Sequence, residues 1–255
     1  MEIDRRKFLQ LSGLALLALA AKPVFEVVTK ADLAQAATDA IAGKKRLAMV
    51  IDLKGCGSKE GCADCINACH TIHNVPDIGT KKEEIKWIWN VSFDQAFGET
   101  ENQYVKEEVR NNPVLLLCNH CDNPPCVRVC PTQATFRRDD GIVMMDYHRC
   151  IGCRYCMAAC PFGARSFNFR DPRPYIKDVD LGYPTRTRGV VEKCNFCEER
   201  LLLGKQPACV EACKNGSMVF GEMKPGSDVY KVVSQNFAIR RKVELGTQPQ
   251  VYYIV

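Results

Sequence analysis

Apolar residues fall in short blocks along this chain, not in long helical stripes, and the pattern predicts an α+β fold. LAMVIDL (Leu47 to Leu53), NPVLLL (Asn112 to Leu117), ARSFNF (Ala164 to Phe169) and SMVFG (Ser217 to Gly221) each predict a strand. Two β-prone segments flank Asp140-Gly141 between Ala134 and Asp146, the signature of a hairpin. Helices are predicted over Glu198 to Leu203, stopped by Gly204, and over Asp228 to Gln235. The Pro-, Arg- and Asp-rich stretch from Asp171 to Arg188 predicts a connecting loop, and Val251 to Val255 reads as an apolar tail. The run from Leu11 to Ala21 is too short to span a bilayer, and no later run approaches the roughly 20 residues that spanning requires.

Composition changes this picture through one residue type. The 255 residues include 16 cysteines. They fall in four groups of four: Cys56, Cys62, Cys65, Cys69; Cys118, Cys121, Cys126, Cys130; Cys150, Cys153, Cys156, Cys160; and Cys194, Cys197, Cys209, Cys213. Disulfides need no such grouping, so metal ligation is the better reading. The third group is C-x2-C-x2-C-x3-C-P, ending at Pro161, the ferredoxin spacing for cubane iron–sulfur clusters. Three cysteines within seven residues wrap three corners of one cube, and the fourth leaves on the following helix toward another. Pro131 and Pro161 turn the chain away, and Gly152 lets backbone N–H groups approach cluster sulfurs. Structural zinc is the competing use, but zinc sites close with two C-x2-C pairs per ion.

The formal charge of +5 is offset by such cofactors, since each oxidised cube with its thiolates carries about −2. It is therefore no nucleic-acid footprint. Arg5-Arg6 before the short apolar run predicts twin-arginine export, with cleavage after Ala20 or near Ala36. Residues 31–44 read as a polar linker or short helix. That route carries folded proteins, so clusters can be inserted in the reducing cytoplasm first.

The first group departs from the standard spacing, with five residues between Cys56 and Cys62 and His70 in place of proline. Cys65-x3-Cys69-His70 is one residue too long for the C-x-x-C-H haem-attachment motif. Residues 71–112 carry Trp87 and Trp89 and read as a surface excursion with its own small core or as a docking surface. Together with Tyr252 and Tyr253, these tryptophans are the docking candidates. His120 and His148 lie beside candidate ligands, where they could tune cluster potential, but solvent-facing filler is the better reading for each. No Ser/His/Asp set, phosphate loop or dinucleotide fingerprint is visible, so a non-catalytic role is expected.

Four such groups, with the long gap between Cys197 and Cys209, resemble the four-cluster iron–sulfur subunits of the dimethyl-sulfoxide-reductase superfamily. GTQPQVYY (Gly246 to Tyr253) shares the resemblance. EGCADCINACH (Glu60 to His70), HNVP (His73 to Pro76) and IKWIW (Ile85 to Trp89) are similar to a narrower set, the DsrO-type periplasmic subunits of the dissimilatory sulfite reduction membrane complex. The resemblance implies tandem bacterial-ferredoxin-like modules with inserted loops, each carrying two [4Fe-4S] clusters. Residues 1–37 would be signal peptide and linker, 44–75 with 189–221 an outer module, 76–112 an insertion, 113–170 a central module and 222–255 a tail. It also implies four cubes: one on Cys118, Cys121, Cys126 and Cys160, and one on Cys130, Cys150, Cys153 and Cys156. The third would lie on Cys56, Cys62, Cys65 and Cys213, and the fourth on Cys69, Cys194, Cys197 and Cys209. The implied role is electron relay in a periplasm-facing respiratory complex linked to sulfite or sulfate reduction. A quinone-interacting integral membrane subunit and a multihaem cytochrome c are the implied partners. The alternative complex is a molybdopterin oxidoreductase.

Overall fold

A computed structural model describes residues 45–57, 62–98 and 106–255. The twin-arginine segment, its cleavage sites and the linker after it lie outside these residues. The fold is α+β, and its largest sheet forms where the apolar blocks are most continuous. Strand β1 (Leu47–Asp52) runs antiparallel to β8 (Met218–Glu222) on one side and parallel to β10 (Val251–Ile254) on the other. A short β9 (Ala238–Ile239) completes the order β8-β1-β10-β9.

β1 carries no polar face because both of its faces are covered, as expected of a continuous apolar run. Met49 and Ile51 point into the main core, while Ala48 and Val50 meet helix α9 (Asp228–Gln235) through Val229. Val232 and Val233 of α9 pack on the same side. Ser227 caps that helix by accepting from the Tyr230 amide at 3.2 Å, which supplies a partner for an otherwise orphan donor. Full burial of a valine contributes about 1.5–3 kcal/mol, which applies to Val229; Val232 and Val233 are partly buried and add less.

The other sheets are two-stranded: β2 (Ile88–Val91) with β3 (Val114–Leu117), β4 (Thr135–Arg137) with β5 (Val143–Met145), and β6 (Ser166–Phe167) with β7 (Val191–Glu192). The β4–β5 pair is the expected hairpin, with Gly141 at φ +87° in its turn.

Two expectations are corrected. Val251–Ile254 is an inner strand of the main sheet, not a tail, because Val251 and Tyr253 complete the core against β1. The described residues of the 71–112 stretch do not form a core of their own. Ile85, Trp87, Ile88, Phe93 and Phe97 enter the same core as Leu47, Ile142, Phe196 and Phe220. Among the described residues no helix is long and apolar enough to cross a membrane.

Candidate metal centres

Each cysteine group folds in the same local way. Its third cysteine is the second residue of a helix: Cys65 in α2 (Asp64–Ile72), Cys126 in α5 (Pro125–Arg128), Cys156 in α6 (Tyr155–Ala158) and Cys209 in α8 (Ala208–Glu211). The fourth follows four residues later. Cys69 is still within its helix, while Cys130, Cys160 and Cys213 lie two residues past theirs, and in each group the third and fourth cysteines open onto different spaces.

The sulfurs are accordingly reassorted across groups. Cys118, Cys121, Cys126 and Cys160 line one cavity (the Cys118 set). Cys130, Cys150, Cys153 and Cys156 line a second (the Cys130 set), and Cys56, Cys62, Cys65 and Cys213 a third (the Cys56 set). Cys69 is brought to Cys194, Cys197 and Cys209: burial pushes its thiol well up, and these three are the next causes (the Cys69 set).

The sets form a row. Cys156 is raised by burial and, among other sulfurs, by Cys126, which joins the Cys130 set to the Cys118 set. Cys194 is raised by burial and then by Cys118, which joins the Cys118 and Cys69 sets. Cys209 is raised by burial and by Cys65 among others, which reaches the Cys56 set. The middle of the row is buried. Cys69, Cys194, Cys197 and Cys209 are all covered, as are Cys118, Cys121 and Cys126, while Cys160 is half-buried. At one end Cys153 is exposed, and at the other Cys56, Cys62, Cys65 and Cys213 are half-buried.

Wrapping a chain this tightly needs left-handed backbone. His120 (φ +40°), Arg154 (φ +63°), Phe196 (φ +58°) and Cys197 (φ +53°) all adopt it within cysteine loops, a strain that persists only where surroundings impose it. Gly152 (φ +70°) adds a close approach: a Cβ there would lie 2.4 Å from the Gly189 carbonyl oxygen.

The donor chemistry fits an iron–sulfur cluster at each set. Burial, then the charges of Cys56, Cys213 and Cys62, push the Cys65 thiol up to about 12. Burial and Cys118 likewise lead the causes that bring Cys121 to about 12. Four such sulfurs become thiolates together only around a strong positive charge. The Cys118 cavity is also lined by Asn119, whose buried side-chain nitrogen lacks a partner among the described residues. Buried His120 Nε2 lacks one too. Unpartnered donors beside cysteine ligands suit hydrogen bonding to cluster sulfur.

Several residues at these sites were not singled out from the sequence. Arg165, buried, donates from Nη2 to Cys126 Sγ at 3.1 Å and to Thr135 Oγ1 at 2.8 Å. Lys193, also buried, donates from Nζ to the Val143 and Cys194 carbonyls. His73 Nε2 lies 2.9 Å from Glu199 Oε1, and the ring stacks on Trp87 at 4.4 Å. Burial disfavours its imidazolium, but hydrogen bonds with Cys197 and Glu199 outweigh that and raise its pKa to about 9. His120 is not solvent-facing as read from sequence. It is buried, stacks on Phe196 at 3.7 Å, and its Nδ1 accepts from the Val143 amide at 3.1 Å. His148 is exposed. Of the docking candidates, Trp87 and Tyr253 are fully buried, so neither is a docking residue. Trp87 Nε1 donates to Glu192 and Tyr253 Oη to the Leu115 carbonyl, which accounts for both polar tips. Trp89 and Tyr252 are half-buried.

Comparison with known proteins agrees with this chemistry. A 4Fe-4S dicluster domain matches residues 113–173 and again 174–223. The chain is 39% identical to Hdr-like menaquinol oxidoreductase iron-sulfur subunit 1 of Archaeoglobus fulgidus, covering 98% of this chain and 97% of the relative. It is 41% identical to a subunit of the tetrathionate reductase of Salmonella typhimurium (83% and 73%). It is 37% identical to the menaquinone reductase iron-sulfur cluster-binding subunit of Nitratidesulfovibrio vulgaris (83% and 89%). The chain is an iron–sulfur electron-transfer subunit of a respiratory oxidoreductase complex, and not the catalytic subunit.

Proposed function

We propose that this chain, which belongs to the 4Fe-4S dicluster family of iron–sulfur proteins, holds four [4Fe-4S] clusters and relays single electrons along them between two partner proteins. The observation that carries this reading is the row of four cysteine sets with a buried middle and accessible ends. When bound, each cluster supplies a reversible one-electron couple. The chain's own residues hold each cube by four sulfurs, exclude water from the two inner sets, and tie neighbouring cubes through cysteines four residues apart. Residues 44–75 with 189–221 would supply the Cys56 and Cys69 sets and 113–170 the Cys118 and Cys130 sets, as two ferredoxin-like modules sharing one core.

The partners follow from resemblance and from the relatives' names. Two relatives are named for menaquinol or menaquinone, which supports a quinone-reactive membrane subunit at one end of the row. A multihaem cytochrome c at the other end, and a role in sulfite or sulfate reduction, rest on the DsrO-type motifs. The tetrathionate reductase relative favours a second reading, the electron-transfer subunit of a molybdopterin oxidoreductase. The fuller coverage of the menaquinol oxidoreductase relative supports the first.

Protein reconstituted anaerobically should carry about 16 iron atoms, four per cube. It should exchange electrons with dyes and show no turnover of quinol or sulfur compounds. Iron near eight atoms, a zinc signal in its place, or robust turnover by the isolated chain would overturn the reading. Arg5-Arg6 supports a relay in the periplasm, held at the membrane by its partners. Changing both to lysine should leave cluster-loaded protein in the cytoplasm, as a cell fractionation would read; unchanged periplasmic accumulation would refute that route.

A further inference from the structure

Two buried cations sit along the row of cysteine sets, and neither is paired with a carboxylate among the described residues. Arg165 is 5% exposed, and its described partners are Cys126 Sγ at 3.1 Å, Thr135 Oγ1 at 2.8 Å and Met145 Sδ at 3.8 Å. Guanidinium keeps its charge in any protein setting. Its field acts on Cys126 and Cys118 of one set and on Cys156 of the next. Lys193 is 1% exposed, donates to two backbone carbonyls, and faces Cys118, Cys126 and Cys194. Both side chains therefore act on the Cys118 set. The Cys130 set has Arg165 at one edge, and the Cys69 set has Lys193 at one edge and His73 beside Cys197, the latter offset by its pairing with Glu199. The Cys56 set, by contrast, has Asp52 among the charges acting on Cys56.

A buried guanidinium left without an anion is strongly unfavourable, so Arg165 needs the negative charge of a ligated cluster beside it, and the same charge favours the ammonium form of Lys193, which burial alone disfavours. The same interaction works in reverse on the cluster. Reduction adds one negative charge, and a fixed positive charge in low dielectric, with a hydrogen bond to a ligand sulfur, favours that state.

We propose that Arg165, aided by Lys193, makes the Cys118 set the highest-potential station of the row, so that a single electron rests there. This rests on the four-cluster reading above. It makes the chain a relay with a deep central site, protected from solvent oxidants, and not a graded slope from one end to the other. Both residues act through charge and hydrogen bonding and are not themselves redox centres.

The test is a redox titration of the cluster-loaded full chain followed by electron paramagnetic resonance, with iron analysis on every sample. Arg165→Gln should weaken electron retention by the first-reducing cluster about tenfold or more, which is about 59 mV lower for a one-electron couple. Arg165→Lys should recover most of that shift, and Lys193→Gln should move the same signal in the same direction. An unmoved first signal in iron-replete Arg165→Gln overturns the proposal, as does a shift confined to a later-reducing cluster. If Arg165→Gln loses iron, Lys193→Gln measures the same quantity from the other side. Iron loss in both variants would make their role structural and also overturn it. A wild-type chain with too little iron would instead sink the four-cluster reading, so the two failures are distinguishable.

Discussion

Glu192→Ala is expected to destabilise the fold by about 3–5 kcal/mol, the largest effect of any single change outside the cysteines. Glu192 and Arg186 are almost completely buried and pair at 2.6 Å. Glu192 also accepts from Trp87 Nε1 at 2.9 Å and from Asn168 Nδ2 at 2.5 Å. Arg186 donates in turn to the His73 carbonyl at 2.5 Å and the Asn74 carbonyl at 2.8 Å. Three segments distant in sequence thus meet at one ion pair: the turn after α2, the long loop, and β7. Removing the carboxylate leaves a guanidinium in the core with no counter-charge, and that uncompensated charge dominates the cost. For a chain of this size the melting temperature should fall by roughly 6–20 °C. Thermal unfolding of cluster-loaded protein followed by circular dichroism checks it, and a fall under about 2 °C would show that the pair is not buried as described.

Cys130→Ser should remove or degrade one cluster and leave its sequence neighbours intact. By sequence Cys130 closes the group of Cys118, Cys121 and Cys126, yet in space it lines the cavity of Cys150, Cys153 and Cys156. Iron should fall by about four atoms at most, or by one if a three-iron cluster remains. The signal lost should be that of the Cys130 set. Damage to the cluster of Cys118, Cys121 and Cys126 instead would show that the cysteines do not cross.

The chemistry was legible because cysteine spacing encodes it directly: three sulfurs in seven residues have few other uses, and C-x3-C on a helix separates the last two. Strands at Leu47, Val114 and Met218, the hairpin around Gly141 and the helix at Asp228 were legible from local pattern alone. What was not legible depends on contacts between distant segments. Val251–Ile254 becomes an inner strand only because β1 offers it an open edge far away in sequence. Trp87 and Tyr253 resemble interface aromatics until Glu192 and the Leu115 carbonyl are seen to take their polar tips. Arg165 and Lys193 gave a weak signal, each being a cation within or beside an apolar strand. Arg165 reaches the Cys126 sulfur and Lys193 the Val143 carbonyl only once their segments fold back onto the second group and the hairpin.

The parallel pairing of β1 with β10 has a consequence for the order in which the chain matures. Their paired residues, Met49 and Val251 for example, are about 200 residues apart in sequence. A ribosome adding about 5–20 residues per second makes the second partner some 10–40 s after the first. Through that interval β1, and the loop of Cys56 that follows it, has no neighbour on either side, since β8 also comes late. The segment holding Cys118 to Cys160 is finished long before. The Cys118 and Cys130 sets can therefore be assembled while synthesis continues, whereas the Cys56 set must wait for Cys213 and for the sheet to close around it.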